Sequence, residues 1–188
     1  MGKLELQQCV LGPVYTNCYI AKNKETGEAL IIDPADSPSK IELKVNAMGA
    51  RPVAVLLTHG HFDHIMGVEA VREKYQIPVY ACRQEEEMLR EPSVNMTDQM
   101  GKSCSIRPDV FLDDLQVFEA AGFSIQMIHT PGHTKGSCCI CHHASNSTKT
   151  DDTKLFAHDL TACKLLLLLL SKLINIFLVF FSLYPLNT

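Results

Sequence analysis

The chain has 188 residues, enough for one domain with a sizeable core. Apolar residues make up 46% and charged residues 20%, a globular balance that excludes a disordered chain. Net charge is −4 and no basic run occurs, which argues against a nucleic-acid partner.

Met1-Gly2-Lys3-Leu4-Glu5 runs straight into a strand-like pattern, with no charged-then-apolar leader. The eight scattered cysteines therefore read as reduced thiols in a cytoplasmic protein. Leu4 to Leu11 is the opening strand, and Gly12-Pro13 punctuates it. Asn17 to Ala21 resumes as a strand, Lys22 to Gly27 is a polar hairpin turn, and Ala29 to Pro34 is a third strand. Ser39 to Gly49 carries Ile41, Val45 and Met48 on one face and reads as a helix. Pro52 to Thr58 is a buried central strand. His64 to Tyr75 places Ile65, Val68, Val71 and Tyr75 on one face of a second helix.

Val79 to Ala81 is a short strand, and Arg83 to Glu91 is a charged helix with Met88 and Leu89 as its apolar contacts. Pro92 to Pro108 is irregular and is expected to help wall a functional cleft. Leu115 to Phe118 and Phe123 to Ile128 are strands, followed by Ser137 to His142, a polar loop from Ala144 to Asp152, and a short strand Lys154 to Ala157. Cys138-Cys139-Ile140-Cys141-His142-His143 superficially resembles a zinc site, but neighbours in a strand face opposite ways. Strands alternating with helices after an opening hairpin fit sheet layers covered by helices.

One stretch organises the rest. Thr58-His59-Gly60-His61-Phe62-Asp63-His64 follows the apolar run Val53 to Leu57, so three imidazoles and a carboxylate sit where a strand gives way to a loop. These are ligands for borderline divalent metals such as zinc. His59 and His61, two apart, point the same way in extended backbone, whereas Asp63 and His64 diverge unless the chain turns. The arrangement suggests two ligand sets for two neighbouring ions. A solvated His-rich turn is the plainer alternative, but it gives no reason for this cluster to cap a buried strand.

His59-x-His61-x-Asp63-His64 resembles the metal motif of the metallo-β-lactamase superfamily, and its flanks resemble the glyoxalase II-like hydrolases. The resemblance implies an α+β fold, an αββα sandwich with metals at one edge of two packed sheets. It implies a first site of His59, His61 and His133 and a second of Asp63 and His64, with Asp159 bridging. His129 is left with a structural role, and Asp33 braces the metal loop. It further implies a metal-dependent hydrolase that draws hydroxide from its ions to attack a thioester or related ester of a small-molecule substrate. Asp63 is then also catalytic, orienting the nucleophile. One or two zinc ions are expected, with iron or manganese compatible with the same ligands.

Two departures leave alternatives open. His158 stands where the family has Gly before Asp159, and no His follows Asp159 to complete the second site. The composition also shifts abruptly at Lys164, dividing the chain into a domain at 1–163 and an apolar tail at 164–188. The tail reads first as a divergent ending on a C-terminally incomplete domain. Its residues 165–184 could also span a membrane, being about 20 residues long. The rival functions are an inactive or one-metal remnant and a mononuclear iron oxidoreductase of the persulfide dioxygenase kind.

Overall fold

Nine strands and five α-helices make up the described part of the chain, residues 3–142 of a computed structural model. In chain order these are β1 (Leu4–Leu11), β2 (Thr16–Asn23), β3 (Glu28–Ile32), α1 (Pro38–Ala47), β4 (Arg51–Leu56), α2 (Phe62–Ile65), α3 (Val68–Tyr75) and β5 (Val79–Cys82). They continue with α4 (Glu86–Arg90), α5 (Pro92–Asn95), β6 (Val110–Leu112), β7 (Val117–Ala120), β8 (Phe123–His129) and β9 (Cys138–His142). Asp159, the 163/164 boundary, the loop from Ala144, the strand at Lys154 and the apolar tail lie outside the described residues.

Strands β1 to β6 form one sheet in sequence order. The β1–β2–β3 part is antiparallel, and β3 through β6 are parallel, joined by connections that carry the helices. Strands β7, β8 and β9 form a second, antiparallel sheet.

Period-two alternation sorts the side chains into layers. Ile31, Val55 and Leu57 pack with Ile41 and Val45 of α1 and with Val68 and Val71 of α3. Their neighbours Leu30, Ala54 and Leu56 pack instead with Phe123 and Ile125 of β8. Both faces of the first sheet are therefore buried at β3 and β4, which is why the run Val53 to Leu57 is apolar throughout. Tyr80 stacks on Phe118 at 5.3 Å between ring centres, extending the contact between the sheets. Helix, sheet and sheet layers are thus all present among the described residues. The expected α+β class and layered sandwich are observed.

Several local expectations need correction. The single helix over His64 to Tyr75 is two helices, α2 and α3, separated at Met66-Gly67. The break follows from packing: Gly67 N–H donates to the Pro34 carbonyl at 2.9 Å. A Cβ at Gly67 would lie 2.6 Å from that same oxygen, so only glycine fits there. The charged helix begins as a 3-10 turn over Arg83–Glu85 before α4. The strand placed at Leu115 to Phe118 lies at Val117–Ala120, because Leu115 takes a left-handed turn conformation with φ 60°. Strand β6 was not anticipated.

The irregular segment after α4 contains α5 and a 3-10 turn at Asp98–Met100. Buried Asn95 and Thr97 both donate to the Cys104 carbonyl, and Ile106 donates its N–H to Leu89. Its described polar contacts thus tie it to itself, to α4 and, through the Arg107 carbonyl, which accepts from Arg72 at 3.0 Å, to α3. Among the described residues, no helix is long and apolar enough to cross a membrane.

Candidate metal centre

The first His-bearing loop is fixed from beneath by Asp33. The chain leaves β3 with Asp33 in the left-handed region, φ 49°, a conformation that Asp tolerates better than most residues. This turn sends the carboxylate back toward the end of β4. Its Oδ1 accepts from Thr58 N–H at 2.8 Å, and its Oδ2 accepts from the Thr58 hydroxyl at 2.6 Å. The same Oδ2 lies 2.9 Å from His64 Nδ1. The sequence reading gave Asp33 a bracing role, and these contacts fit one.

After Thr58 the chain runs through His59, Gly60 and His61 and then turns into α2. That turn answers the divergence expected for Asp63 and His64: His64 Nε2 comes within 3.5 Å of Asp63 Oδ2. It also brings the His64 ring to 3.9 Å from that of His59, centre to centre. The Thr16 hydroxyl at the start of β2 donates to Asp63 Oδ2 at 2.6 Å. Nothing in the sequence marked Thr16, because a lone strand threonine carries no spacing signal.

The second His-bearing loop leaves β8. His129 closes that strand and hydrogen-bonds through Nε2 to the Lys135 carbonyl at 2.8 Å, a structural role. Thr130 N–H donates to the Ser137 carbonyl, and Thr134 N–H donates to the Ser137 hydroxyl, so the turn is pinned at both ends. Cys138 N–H donates to the Thr58 carbonyl at 2.9 Å, which ties β9 directly to the first loop. The result places His133 over His61, with His61 Nδ1 2.9 Å from His133 Nε2.

One ring nitrogen each from His59, His61 and His133 lies within 4.8 Å of the others. Donors around one tetrahedral zinc are separated by roughly 3.3 Å, given bonds of about 2.0–2.1 Å. The three imidazoles are therefore close to what one ion needs, and their chemistry fits a borderline divalent metal. His59 is buried, His61 half-buried and His133 exposed, so the cluster opens to solvent on the His133 side. Asp63 and His64 lie beside it. Asp159, the remaining residue predicted for the site, lies outside the described residues.

Burial and charge shift three of these imidazoles. Burial lowers the His59 pKa to about 2, reinforced by His64, His133 and His61 around it. Burial also lowers His61, as does His133, against an upward pull from Asp63 and Glu85. Burial pulls His64 down as well, but the hydrogen bond and charge of Asp33, joined by Asp63, outweigh it and leave its pKa raised. Neutral imidazole is the form that binds a metal.

These shifts carry a pH signature for the metal-free protein. Unfolded imidazole takes a proton below about 6.5, whereas folded His59 stays neutral to about 2. The unfolded state thus gains the proton as pH falls, and stability drops by up to about 1.4 kcal/mol per pH unit for each such group. His61 acts in the same direction. His64 opposes both, adding stability below pH 6.5 that fades as pH rises through its folded pKa. Below pH 6.5 the His64 contribution is already full, so His59 and His61 set the slope and chelator-treated protein is expected to lose stability between pH 6.5 and 5. Urea unfolding across that window checks this; a constant or rising midpoint would contradict it.

Comparison with known proteins accords with this geometry. The family model described as "Metallo-beta-lactamase superfamily" matches residues 11–146. The chain is 34% identical over 129 residues to "Probable metallo-hydrolase YqgX" of Bacillus subtilis (strain 168), covering 68% of this chain and 60% of that one. It is 31% identical over 136 residues to "Probable polyketide biosynthesis zinc-dependent hydrolase BaeB" of Bacillus velezensis, covering 72% of this chain and 54% of that one. The solved structure of BLEG-1 B3 metallo-beta-lactamase superposes with a TM-score of 0.68 at 34% identity, covering 73% of this chain and 67% of that one. The chain spans about 60% of the length of YqgX and about half that of BaeB. From the match over residues 11–146 and the fold that carries it, the chain belongs to the metallo-beta-lactamase superfamily.

Proposed function

We infer that this protein is a metal-dependent hydrolase, glyoxalase II-like, acting on a thioester or related ester of a small molecule. The observation that carries the reading is the convergence of His59, His61 and His133 from two separate loops. In this reading those three imidazoles hold one zinc ion, and Asp63, His64 and Asp159 contribute to a second. The zinc-dependent relative BaeB supports zinc, and the same donors also suit iron or manganese. Bound there, the metal supplies Lewis-acid polarisation of a carbonyl and activation of water near neutral pH.

The chain's own groups have distinct tasks. His59, buried and neutral, anchors the floor of the site, while exposed His133 stands at its solvent-facing side. Asp63 orients the attacking water by accepting its hydrogen bond, and Thr16 fixes the carboxylate by donating to Oδ2. Asp33 holds His64 through Nδ1, which leaves Nε2 turned toward Asp63. Water adds to the acyl carbon and the thiolate departs, giving an acid and a thiol. A thiolate leaves without strong acid assistance, so this step needs no dedicated general acid.

The test is hydrolysis of a generic acyl thioester by the full chain reconstituted with zinc, manganese or iron, followed by thiol release. Metal-dependent turnover lost on chelation is expected. Oxygen consumption with iron, and no hydrolysis with any metal, would favour the iron oxidoreductase instead. No turnover of either kind would leave the chain a binding remnant.

A further inference from the structure

Glu85 ends the 3-10 turn after β5 and is 1% exposed, although it opens a run of three glutamates. A buried carboxylate is costly unless donors satisfy it. Glu85 has three. Its Oε1 accepts from Gly60 N–H at 2.9 Å, between His59 and His61. Its Oε2 accepts from Gly136 N–H at 2.7 Å and from the Thr134 hydroxyl at 3.0 Å, just beyond His133. One carboxylate thus joins the two His-bearing loops, one oxygen to each.

The approach is close by construction. A Cβ at Gly136 would lie 2.3 Å from the Glu85 backbone nitrogen and 2.5 Å from Oε2, so glycine is required for the second loop to reach the carboxylate. The chemistry is equally restrictive. All three partners are donors, and an ionised carboxylate is acceptor-only. A glutamine of the same shape offers one oxygen and one NH2. In either orientation its NH2 would face a donor, Gly60 N–H on one side or Gly136 N–H on the other.

We propose that Glu85 is a positioning residue for the metal centre: it sets the distance between the His59–His61 pair and His133. It does so through two backbone N–H groups and the Thr134 hydroxyl and is not itself a metal ligand. The proposal rests on His59, His61 and His133 holding a metal, as inferred above.

The experiment measures zinc affinity of the full chain by competition with a chromophoric chelator, alongside the visible spectrum of the cobalt form. Glu85→Gln, Thr134→Val and Val71→Ala are compared with the unaltered chain. Val71 is a buried core residue of α3 outside the hydrogen bonds of Glu85, so Val71→Ala lowers stability generally. Glu85→Gln is expected to bind zinc roughly 10–100-fold more weakly, the usual effect of losing an outer partner of the ligands. Its cobalt bands are expected to shift, and Val71→Ala is expected to retain both affinity and bands.

Wild-type zinc affinity in Glu85→Gln would overturn the proposal, as would an equal loss in Val71→Ala. If Glu85→Gln does not fold, Thr134→Val decides. It removes one of the three donors and is expected to weaken zinc several-fold; unchanged affinity would overturn the proposal. Failure of the unaltered chain to bind zinc or cobalt would refute the metal centre itself, a separate outcome.

Discussion

His61→Ala is expected to lower zinc affinity and thioester turnover by at least roughly 100-fold while leaving the protein folded. Loss of an outer partner of a metal ligand already costs roughly 10–100-fold, and loss of a ligand exceeds that. The fold should survive because His61 is half-buried at a loop and its described hydrogen bond runs to exposed His133. Removing His61 also relieves crowding among imidazoles, since it is one of the groups that depress His59. Metal content and initial rates, measured beside a circular dichroism spectrum, check this. Wild-type metal content and rate in a folded His61→Ala protein would remove this residue from the ligand set.

Asp33→Asn carries the second large effect, through a single proton. In the native arrangement Asp33 Oδ2 accepts, so His64 carries its proton on Nδ1 and Nε2 keeps a lone pair. A carboxamide can keep the Thr58 N–H bond with its oxygen, but it then presents NH2 to Thr58 Oγ1 and His64 Nδ1. The hydroxyl can accept from it. The imidazole must either lose that bond or move its proton to Nε2, and Nε2 then cannot ligate. Turnover is expected to fall by roughly 10–100-fold. Any second equivalent of bound metal should be lost, with the first retained. Nδ1 and Nε2 shifts of His64 in nitrogen NMR spectra would show the tautomer directly. An unchanged tautomer with unchanged rate would contradict the role given to Asp33.

The comparison between Asp33 and Glu85 shows what a sequence can reveal. Asp33 was legible because it ends an apolar strand beside a turn, in a pattern shared with a known superfamily. Glu85 was not, because Glu85, Glu86 and Glu87 look alike in a charged stretch and read as a solvated face. Only the approach of Gly136, 51 residues later, makes the first of them a buried residue. The α2–α3 break was hidden for a similar reason. Ile65, Val68 and Val71 keep helical spacing across it, while the Pro34 carbonyl that enforces it lies far back in the chain.

The His loops were legible because their spacing is local and their residue types are chemically specific. Strands β1 to β5 and β8 were legible too, since apolar runs bounded by Gly, Pro or polar turns fall where strands form. Val110 to Leu112 was missed because three residues give no period. Thr16, which steadies Asp63, was missed because its partner lies 47 positions away.

The central claim is that two loops, held at a fixed distance, make a metal site of His59, His61 and His133. The most direct measurement is the metal content of the purified full chain by plasma mass spectrometry, after dialysis against metal-free buffer. At least one equivalent of zinc, iron or manganese per chain is predicted, released on acidification as the imidazoles take up protons. Substantially less than one equivalent, unrestored by added zinc, would contradict the account.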